Sequence, residues 1–204
     1  HLRDPETLRE VESLPTQVFL PPSVQSSLRL RSYAQKSNNI VRRGQPRNEE
    51  ATLNWFSRFF REVQGDDVSY LQACLAENIF SEVRIGAVKA LARCFRAHNR
   101  GVPVEWIVQA LGMDDDEQAI DFAKQLGLEI SADPDPAKRL LAIHNQATIN
   151  ENKPLKNPFS RKVVESKRGS LTCQDVVDGR ATNAAPLLPQ PDLPPSRPNY
   201  IQNV

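Results

Sequence analysis

The sequence has few of the residues from which catalytic and metal sites are built. It contains three histidines in 204 residues, and His98 and His144 lack a serine, cysteine or carboxylate at nucleophile or metal-site spacing. No glycine-rich phosphate loop occurs. The cysteines, Cys74, Cys94 and Cys173, lie far apart, which argues against a zinc ribbon or disulfide framework and favours a reducing compartment. We therefore expect no enzyme activity, no metal and no cofactor.

Long apolar runs and an excess of one charge are also missing. No run approaches membrane-spanning length and no signal peptide is visible, so neither a membrane nor a small-molecule substrate is an expected partner. The 26 Lys+Arg and 25 Asp+Glu nearly cancel, and only the distribution of charge can indicate a partner. The chain begins at His1 rather than Met, so we expect a fragment of a longer protein.

Residues 1–47 are predicted to form an irregular helical segment with a basic end. Pro22 suits the first turn of a helix that carries Val24, Leu28 and Tyr33. No acidic residue occurs from Ser13 to Asn48. The basic residues that accumulate there are Arg29, Arg31, Lys36, Arg42, Arg43 and Arg47.

Residues 48–80 are predicted to form a helical hairpin. The helix NEEATLNWFSRFFREV has Asn48 as its N-cap and is apolar on both sides. Its apolar residues are Leu53, Trp55, Phe56, Phe59, Phe60 and Val63. After a turn at Gly65-Asp66, the apolar face of the second helix is predicted to consist of Val68, Leu71, Leu75 and Ile79. Such hairpins are the unit of helical repeat arrays, so further repeats are expected upstream to cover the exposed sides of Trp55 and Phe59.

Residues 81–170 are predicted to form a winged helix. The helix SEVRIGAVKALARCFRAHNR precedes PVEWIVQALGMDDDEQAIDFAKQLGLEI, which has the layout of a helix-turn-helix followed by a strand at 127–130. AKRLLAIHNQ is predicted as a short helix, and NPFSRKVVESKRG as the second strand, because Phe159, Val163 and Val164 favour strands. Cys94 and Cys74 lie in apolar helices, where buried, inert thiols are expected.

The second helix of the helix-turn-helix is unsuited to reading DNA. Its predicted inner face is Ala119, Phe122, Ala123 and Leu126, which leaves Glu117 and Asp121 outside, where they would repel phosphate. The run Asp114-Asp115-Asp116 lacks the alternation of a calcium loop and is predicted to cap the helix N-terminus.

Positive charge is concentrated in three other clusters. Lys89, Arg93, Arg96 and Arg100 lie along one helix face, for which a plain solvated surface is the simpler interpretation. The second cluster lies around the connection and the second strand of the predicted wing. It consists of Lys153, Lys156, Arg161, Lys162, Lys167 and Arg168. The third contains Arg42 and Arg43. Clustered cations suit non-specific binding to a nucleic-acid backbone, and the lack of an aromatic-rich platform argues against sequence-specific single-strand reading.

Residues 171–204 are rich in proline and are predicted to be an extended tail or linker. The stretches PLLP and PDLPP would also suit an SH3-like groove, but a spacer is the more general role of such segments.

Several stretches, in this order and spacing, resemble the GANP family of mRNA-export scaffolds, the Sac-type subunit of the TREX-2 complex. They are NNIVRRG, LNWFSRFF, YLQACLAENIFSEVRIGAVKAL, VPVEWIVQALGMDDDEQAIDFAKQLGLEI and FSRKVVESKRGSLTCQDVVDG. The resemblance spans about Leu28 to Gly179. It implies the C-terminal part of a PCI-type region, mostly α-helical, in which a TPR-like helical-repeat hairpin runs into a winged helix.

The resemblance also implies a nuclear, non-catalytic scaffold at the nuclear pore. Its winged helix would dock a second PCI protein that carries a small acidic subunit, and the paired winged helices would offer RNA a basic surface. The expected phosphate contacts are Arg161, Lys162, Lys167 and Arg168 first, then Lys153, Lys156, Arg42 and Arg43. Two alternatives stay open: a PCI module of a proteasome-lid or signalosome-like assembly without RNA contact, and a winged-helix DNA-binding regulator.

Overall fold

The protein is mostly helical, as predicted, in a computed structural model that describes residues 5–37, 49–94, 101–131, 140–142, 159–172 and 174–175. The α-helices are α1 (Pro5–Glu12), α2 (Thr16–Phe19), α3 (Pro22–Gln35), α4 (Phe56–Gln64), α5 (Tyr70–Glu77), α6 (Phe80–Cys94), α7 (Val104–Ala110) and α8 (Asp116–Gln125). The strands are β1 (Val102–Pro103), β2 (Glu129–Ile130) and β3 (Leu140–Ala142). Within the described residues, 3-10 helices span Glu49–Leu53 and Glu165–Lys167.

Local sequence signals fix several helix ends. Pro22 occupies the first turn of α3, as predicted, where its missing N–H has no intrahelical partner to lose. Ser69 and Gln72 form a capping box at α5, in which each backbone N–H donates to the other side chain, at 2.9 and 3.3 Å. Asp115 caps α8 by accepting the N–H of Gln118 at 2.7 Å, which confirms the predicted capping role for this member of the acidic run.

Three phenylalanines form the centre of the core. Phe59 and Phe60 of α4 and Phe80 of α6 meet edge to face, with ring centroids 5.2 to 5.9 Å apart. Each buried ring stabilises the fold by about 2–3 kcal/mol. Buried residues of α3, α5, α7 and α8 belong to the same cluster, so the helices from α3 to α8 share one core. Phe59 is fully buried, and the expectation that it has an exposed side was wrong.

Helix α4, which contains Phe59 and Phe60, begins later than predicted. Residues Glu49–Leu53 form a 3-10 helix, and Asn54 adopts a φ of 51°, which ends that turn before α4 starts. Leu53 therefore lies outside the α4 stripe and is exposed. The predicted N-cap, Asn48, lies outside the described residues.

In α3 the buried apolar residues are Leu30 and Ala34, and Leu28 is half-buried. Helix α5 buries a different face from the one predicted. In α5 the small residues Ala73 and Ala76 are buried, while Leu71 and Leu75 are 48% and 59% exposed. The apolar spacing of α5 was thus misleading, because tertiary hydrogen bonds fix its rotation. Gln72 Nε2 donates to Ser23 O and Ser27 Oγ of α3, both at 2.7 Å.

The helix-turn-helix predicted for 103–130 is confirmed as α7 and α8, followed by β2. Ala119, Phe122, Ala123 and Leu126 are buried, as predicted. The sheet has the order β1-β3-β2 and is antiparallel, with Val102 opposite Leu141 and Ile130 also opposite Leu141. The short helix predicted for AKRLLAIHNQ was wrong at 140–142, because that stretch is the central strand and pairs on both edges.

The second strand of the predicted wing, NPFSRKVVESKRG, was also wrong. Its described part, 159–169, forms helical turns, with Val164 N–H donating to Ser160 O at 3.0 Å. Val163 and Val164 are 4% and 1% exposed. Neighbouring side chains of a strand point to opposite faces, so a half-exposed strand does not bury both. The fold agrees with a helical PCI-type domain, while the winged helix and the domain limits stay predictions. The proline-rich part of the tail lies outside the described residues.

The two described cysteines differ in exposure. Cys74 is half-buried and hydrogen-bonded to Tyr70, and burial raises the pKa of its thiol. Cys94 is exposed, so the expectation that it is buried was wrong. Arg93 beside it is exposed as well, because no described element covers the last turn of α6. None of the described helices is long and apolar enough to cross a membrane.

Candidate nucleic-acid interface

Four of the predicted phosphate contacts lie on one segment, residues 159–172, which we call the strap. Asp114, which lies near the end of the turn between α7 and α8, binds the backbone of the strap. Its carboxylate accepts the N–H of Arg161 at 2.8 Å, the N–H of Lys162 at 2.7 Å and the hydroxyl of Ser160 at 2.9 Å. Asp114 therefore caps the first turn of the strap rather than α8, a role that the acidic run alone did not indicate.

The charge of Asp114 is stabilised by these bonds. Partial burial acts to raise the pKa of its carboxyl, but the N–H groups of Lys162 and Arg161, the Ser160 hydroxyl and the Arg84 charge together lower the pKa below its ordinary value. The carboxylate thus stays ionised at neutral pH and joins the strap to the helix-turn-helix.

A second carboxylate and a buried arginine lie beside this junction. Glu77 of α5 accepts the N–H of Ser160 at 3.0 Å, and burial raises the pKa of Glu77. Arg84 of α6 donates to the carbonyls of Leu111 and Gly112 at 3.0 and 2.7 Å. Burial lowers the pKa of Arg84 to about 10, and the charges of Asp114 and Glu77 oppose that shift. The arginine is therefore cationic at neutral pH and stabilises the turn that presents Asp114.

The four cations of the strap differ in what they contact. Lys167 Nζ donates to Gly65 O at 2.6 Å and to Val68 O at 3.0 Å, and burial lowers the pKa of its ammonium. Arg168 Nε donates to Leu171 O at 3.0 Å, and its guanidinium lies 3.9 Å from the carboxylate of Glu165. Both side chains are half-buried and engaged within the fold.

Arg161 and Lys162, by contrast, are exposed. Only their backbone N–H groups bind Asp114, and neither side chain forms an ion pair with a described residue. The strap thus brings two free cations together on its outer side. The other predicted contacts, Lys153, Lys156, Arg42 and Arg43, lie outside the described residues.

The outer surface of the helix-turn-helix has the opposite charge. Glu105 of α7 and Glu117 and Asp121 of α8 are exposed, and Lys124 lies 4.0 Å from the Asp121 carboxylate. Trp106, 43% exposed, adds an aromatic surface. This face suits a protein partner better than a polyanion.

A further basic surface was not predicted. We call it the α3–α4 face, and it consists of Tyr33, Lys36, Trp55, Arg58 and Arg61. The acid-free stretch from Ser13 to Asn48 indicated the α3 half. The α4 half was missed because its arginines simply occupy the polar side of an amphipathic helix in the sequence.

The described residues contain no candidate metal site. No group of three or more His, Cys, Asp or Glu in the described ranges is arranged to hold a metal ion. The acidic residues Asp114 and Asp115 accept backbone N–H groups instead.

Comparison with known proteins gives consistent matches. The family model described as "SAC3/GANP family" matches residues 1–132. The chain is 37% identical over 190 residues to SAC3 family protein 1 of Schizosaccharomyces pombe, a match that covers 93% of this chain and 18% of that protein. It is 24% identical over 135 residues to Protein xmas of Drosophila melanogaster, covering 64% of this chain and 6% of that protein. The chain therefore spans less than a fifth of either relative. On these matches it belongs to the SAC3/GANP family, which is linked to mRNA-export scaffolds.

Proposed function

We propose that the chain is part of a non-catalytic scaffold subunit of the nuclear mRNA-export complex TREX-2, located at the nuclear pore. The observation that carries this proposal is the family match over residues 1–132. The family is of the scaffold type, and the described residues add a shared helical core that carries surfaces of opposite charge.

In this proposal the surface of α7 and α8, within the predicted winged helix, docks a second PCI-domain protein that carries a small acidic subunit. The exposed acids Glu117 and Asp121 disfavour a polyanion there, and the exposed ring of Trp106 supplies the kind of aromatic contact on which protein interfaces depend. Nuclear pore components are the further partners in this proposal.

The same proposal assigns non-specific RNA contact to the strap. Arg161 and Lys162 are the principal contacts, because their charges are exposed and unpaired among the described residues. Further contacts to the RNA backbone are assigned to Lys153, Lys156, Arg42 and Arg43. Lys167 and Arg168 contribute mainly through the local potential, because their donor groups already bind protein carbonyls.

A pull-down of the tagged chain from nuclear extract, with and without nuclease, tests the scaffold role. We expect mass spectrometry to identify a PCI-domain protein together with its small acidic subunit in both samples. Recovery of proteasome-lid or signalosome subunits in their place would contradict an export role and favour the pure interaction module.

An RNA titration tests the strap. We expect Arg161→Glu with Lys162→Glu to weaken binding of single-stranded RNA and to lower the slope of log affinity against log salt by about 1.4, since each of the two phosphate contacts contributes about 0.7. The matched control is Arg9→Glu with Lys124→Glu, which changes the net charge equally at exposed sites. Equal losses in both variants would contradict a localised site, and tight sequence-selective duplex binding would favour the DNA-binding regulator.

A further inference from the structure

The α3–α4 face surrounds an open pocket of about 370 Å³. Its lining comprises Tyr33, Arg58, Arg61, Glu62, Gly65 and Asp67. No aliphatic side chain contributes to this lining. The pocket is therefore built from a phenol, two guanidiniums, two carboxylates and backbone, which suits a charged ligand rather than an apolar one.

The two carboxylates of the pocket are neutralised from α3. Arg29 Nε lies 2.6 Å from Glu62 Oε1, and Arg29 Nη2 lies 3.0 Å from Asp67 Oδ2. One arginine thus engages both acids. Arg58 and Arg61 are left exposed, and neither forms an ion pair with a described residue. The lining together with Arg29 carries three cations against two anions, and the two unpaired cations belong to the same helix.

Trp55 holds two cations in place at the edge of this pocket. Lys36 Nζ lies 4.4 Å and Arg58 Cζ 4.3 Å from the centroid of its ring. Tyr33 packs edge to face on the same ring at 5.7 Å. Cation–π contacts restrict long side chains before a ligand arrives, so less conformational entropy is lost on binding. Arg58 belongs to both groups and connects the ring to the pocket.

The chemistry of the face favours a chain of phosphates. Arg58 and Arg61 offer planar guanidinium groups, which bind phosphate through paired hydrogen bonds. Lys36, held over Trp55, adds a third cation beside these two arginines, which suits a ligand with repeated negative charges. An acidic peptide that docks as a helix needs apolar anchor pockets, and the lining offers none.

We propose that the α3–α4 face is a second RNA-backbone site, in which Arg58 and Arg61 bind phosphodiester groups and Trp55 positions Lys36 and Arg58. The site lies on different structural elements from Arg161 and Lys162, whereas Lys167 of the strap contacts Gly65 of its lining. It rests on the proposed function in so far as its ligand is RNA.

The test uses the full chain and a fluorescein-labelled oligouridylate. We expect Arg58→Gln with Arg61→Gln to weaken binding about fivefold to tenfold at 0.1 M salt and to lower the salt slope by about 1.4, as the loss of two phosphate contacts requires. The control pair Arg9→Gln with Lys124→Gln should stay within about twofold of the wild type. A double-variant affinity within that same margin would overturn the proposal, provided that its thermal midpoint shows it to be folded.

Tryptophan emission tests the role of Trp55 separately. The chain has two tryptophans, so Trp106→Phe leaves Trp55 as the sole reporter. We expect the oligouridylate to change its emission, since phosphates that bind Lys36 and Arg58 alter the electric field at the ring on which these cations lie. A loss of affinity in the arginine variant with constant emission would overturn the role of Trp55 and keep that of the arginines.

The variants also separate this proposal from the strap proposal. If only Arg161→Glu with Lys162→Glu weakens binding, the α3–α4 site is rejected and the proposed function stands. If only the α4 variant does so, the strap assignment is rejected and this site stands. Lack of RNA binding by the wild type rejects both. Displacement of the RNA by polyglutamate at equal charge concentration would assign the face to acidic proteins and overturn the RNA assignment.

Discussion

The strap and the α3–α4 face are both basic, but they use their cations differently. In the strap, Lys167 donates to the carbonyls of Gly65 and Val68, and Arg168 bonds within the segment. On the α3–α4 face, Arg58 and Arg61 are exposed and contact no described carboxylate. The strap is the denser cluster in sequence, yet half of its four cations serve the fold.

This difference shows that the density of Lys and Arg along a chain does not give the charge available to a ligand. A cation that binds backbone carbonyls must lose those bonds before it can bind phosphate. A cation that lies over an aromatic ring keeps its charge and its outward donors. The following variants test this distinction by measuring stability, where the two surfaces should differ most.

The largest expected effect is detachment of the strap by Asp114→Ala. The change removes a carboxylate that accepts three hydrogen bonds from Ser160, Arg161 and Lys162. Charge-assisted bonds of this kind are strong but not additive, so we expect a loss of about 2–3 kcal/mol in the free energy of unfolding. Urea denaturation measures it. Asp121→Ala, at an exposed site with one weak ion pair, is the control, and an equal loss there would argue against the anchoring role.

The same anchor should weaken in acid. The folded-state pKa of Asp114 lies below its ordinary value of 3.8, so its contribution is complete above pH 3.8 and is lost as the pH falls through the lower folded value. We expect the stability difference between wild type and Asp114→Asn to be largest near neutral pH and to shrink below pH 3.8. Because Glu77 titrates in both proteins, its contribution to the pH dependence largely cancels in this difference. A difference that is constant with pH would contradict a role for the charge.

A smaller effect is expected for Lys167→Met. It leaves the carbonyls of Gly65 and Val68 without the ammonium that bonds them, while most of the apolar stem is retained. We expect a loss of about 1 kcal/mol. Arg161→Met, whose side chain is exposed, should change stability by less than about 0.5 kcal/mol. If the two variants were equally stable, the distinction between engaged and free strap cations would fail.

The smallest effect on stability is expected at the α3–α4 face. Arg58→Gln with Arg61→Gln removes exposed charges without an ion pair among the described residues, and the loss of one cation–π contact costs about 0.5–1 kcal/mol at most. Thermal denaturation measures this effect, and we expect a midpoint within a few degrees of that of the wild type. A large drop would show that these arginines, like Lys167, serve the fold.

Some of the fold could be predicted because its signals are local. The helices α7 and α8 and the strand after them follow from apolar periodicity and from the cap at Asp115, which depend on residues three or four positions apart. Pro22 at the start of α3 is a signal of the same kind.

Other parts depended on contacts between distant residues. Val163 and Val164 favour a strand by local preference, but the bonds from Asp114 turn the chain and bury both side chains. Leu71 and Leu75 have the spacing of a buried face, yet Gln72 ties α5 to Ser23 and fixes a rotation that exposes them. Asp114 as the partner of the strap and Ser23 as the partner of Gln72 could not be identified from their positions along the sequence.

The sequence by itself determined the helical class, the helix-turn-helix, the acidic character of α8 and the family resemblance, because these depend on residue type and on short spacing. Only the tertiary structure decided which cations are free. It placed Lys167 against the carbonyl of Gly65, 102 positions away in the chain, and Lys36 and Arg58 over Trp55. The physical reason is that hydrogen bonding and burial, rather than formal charge, determine whether a side chain can meet a ligand.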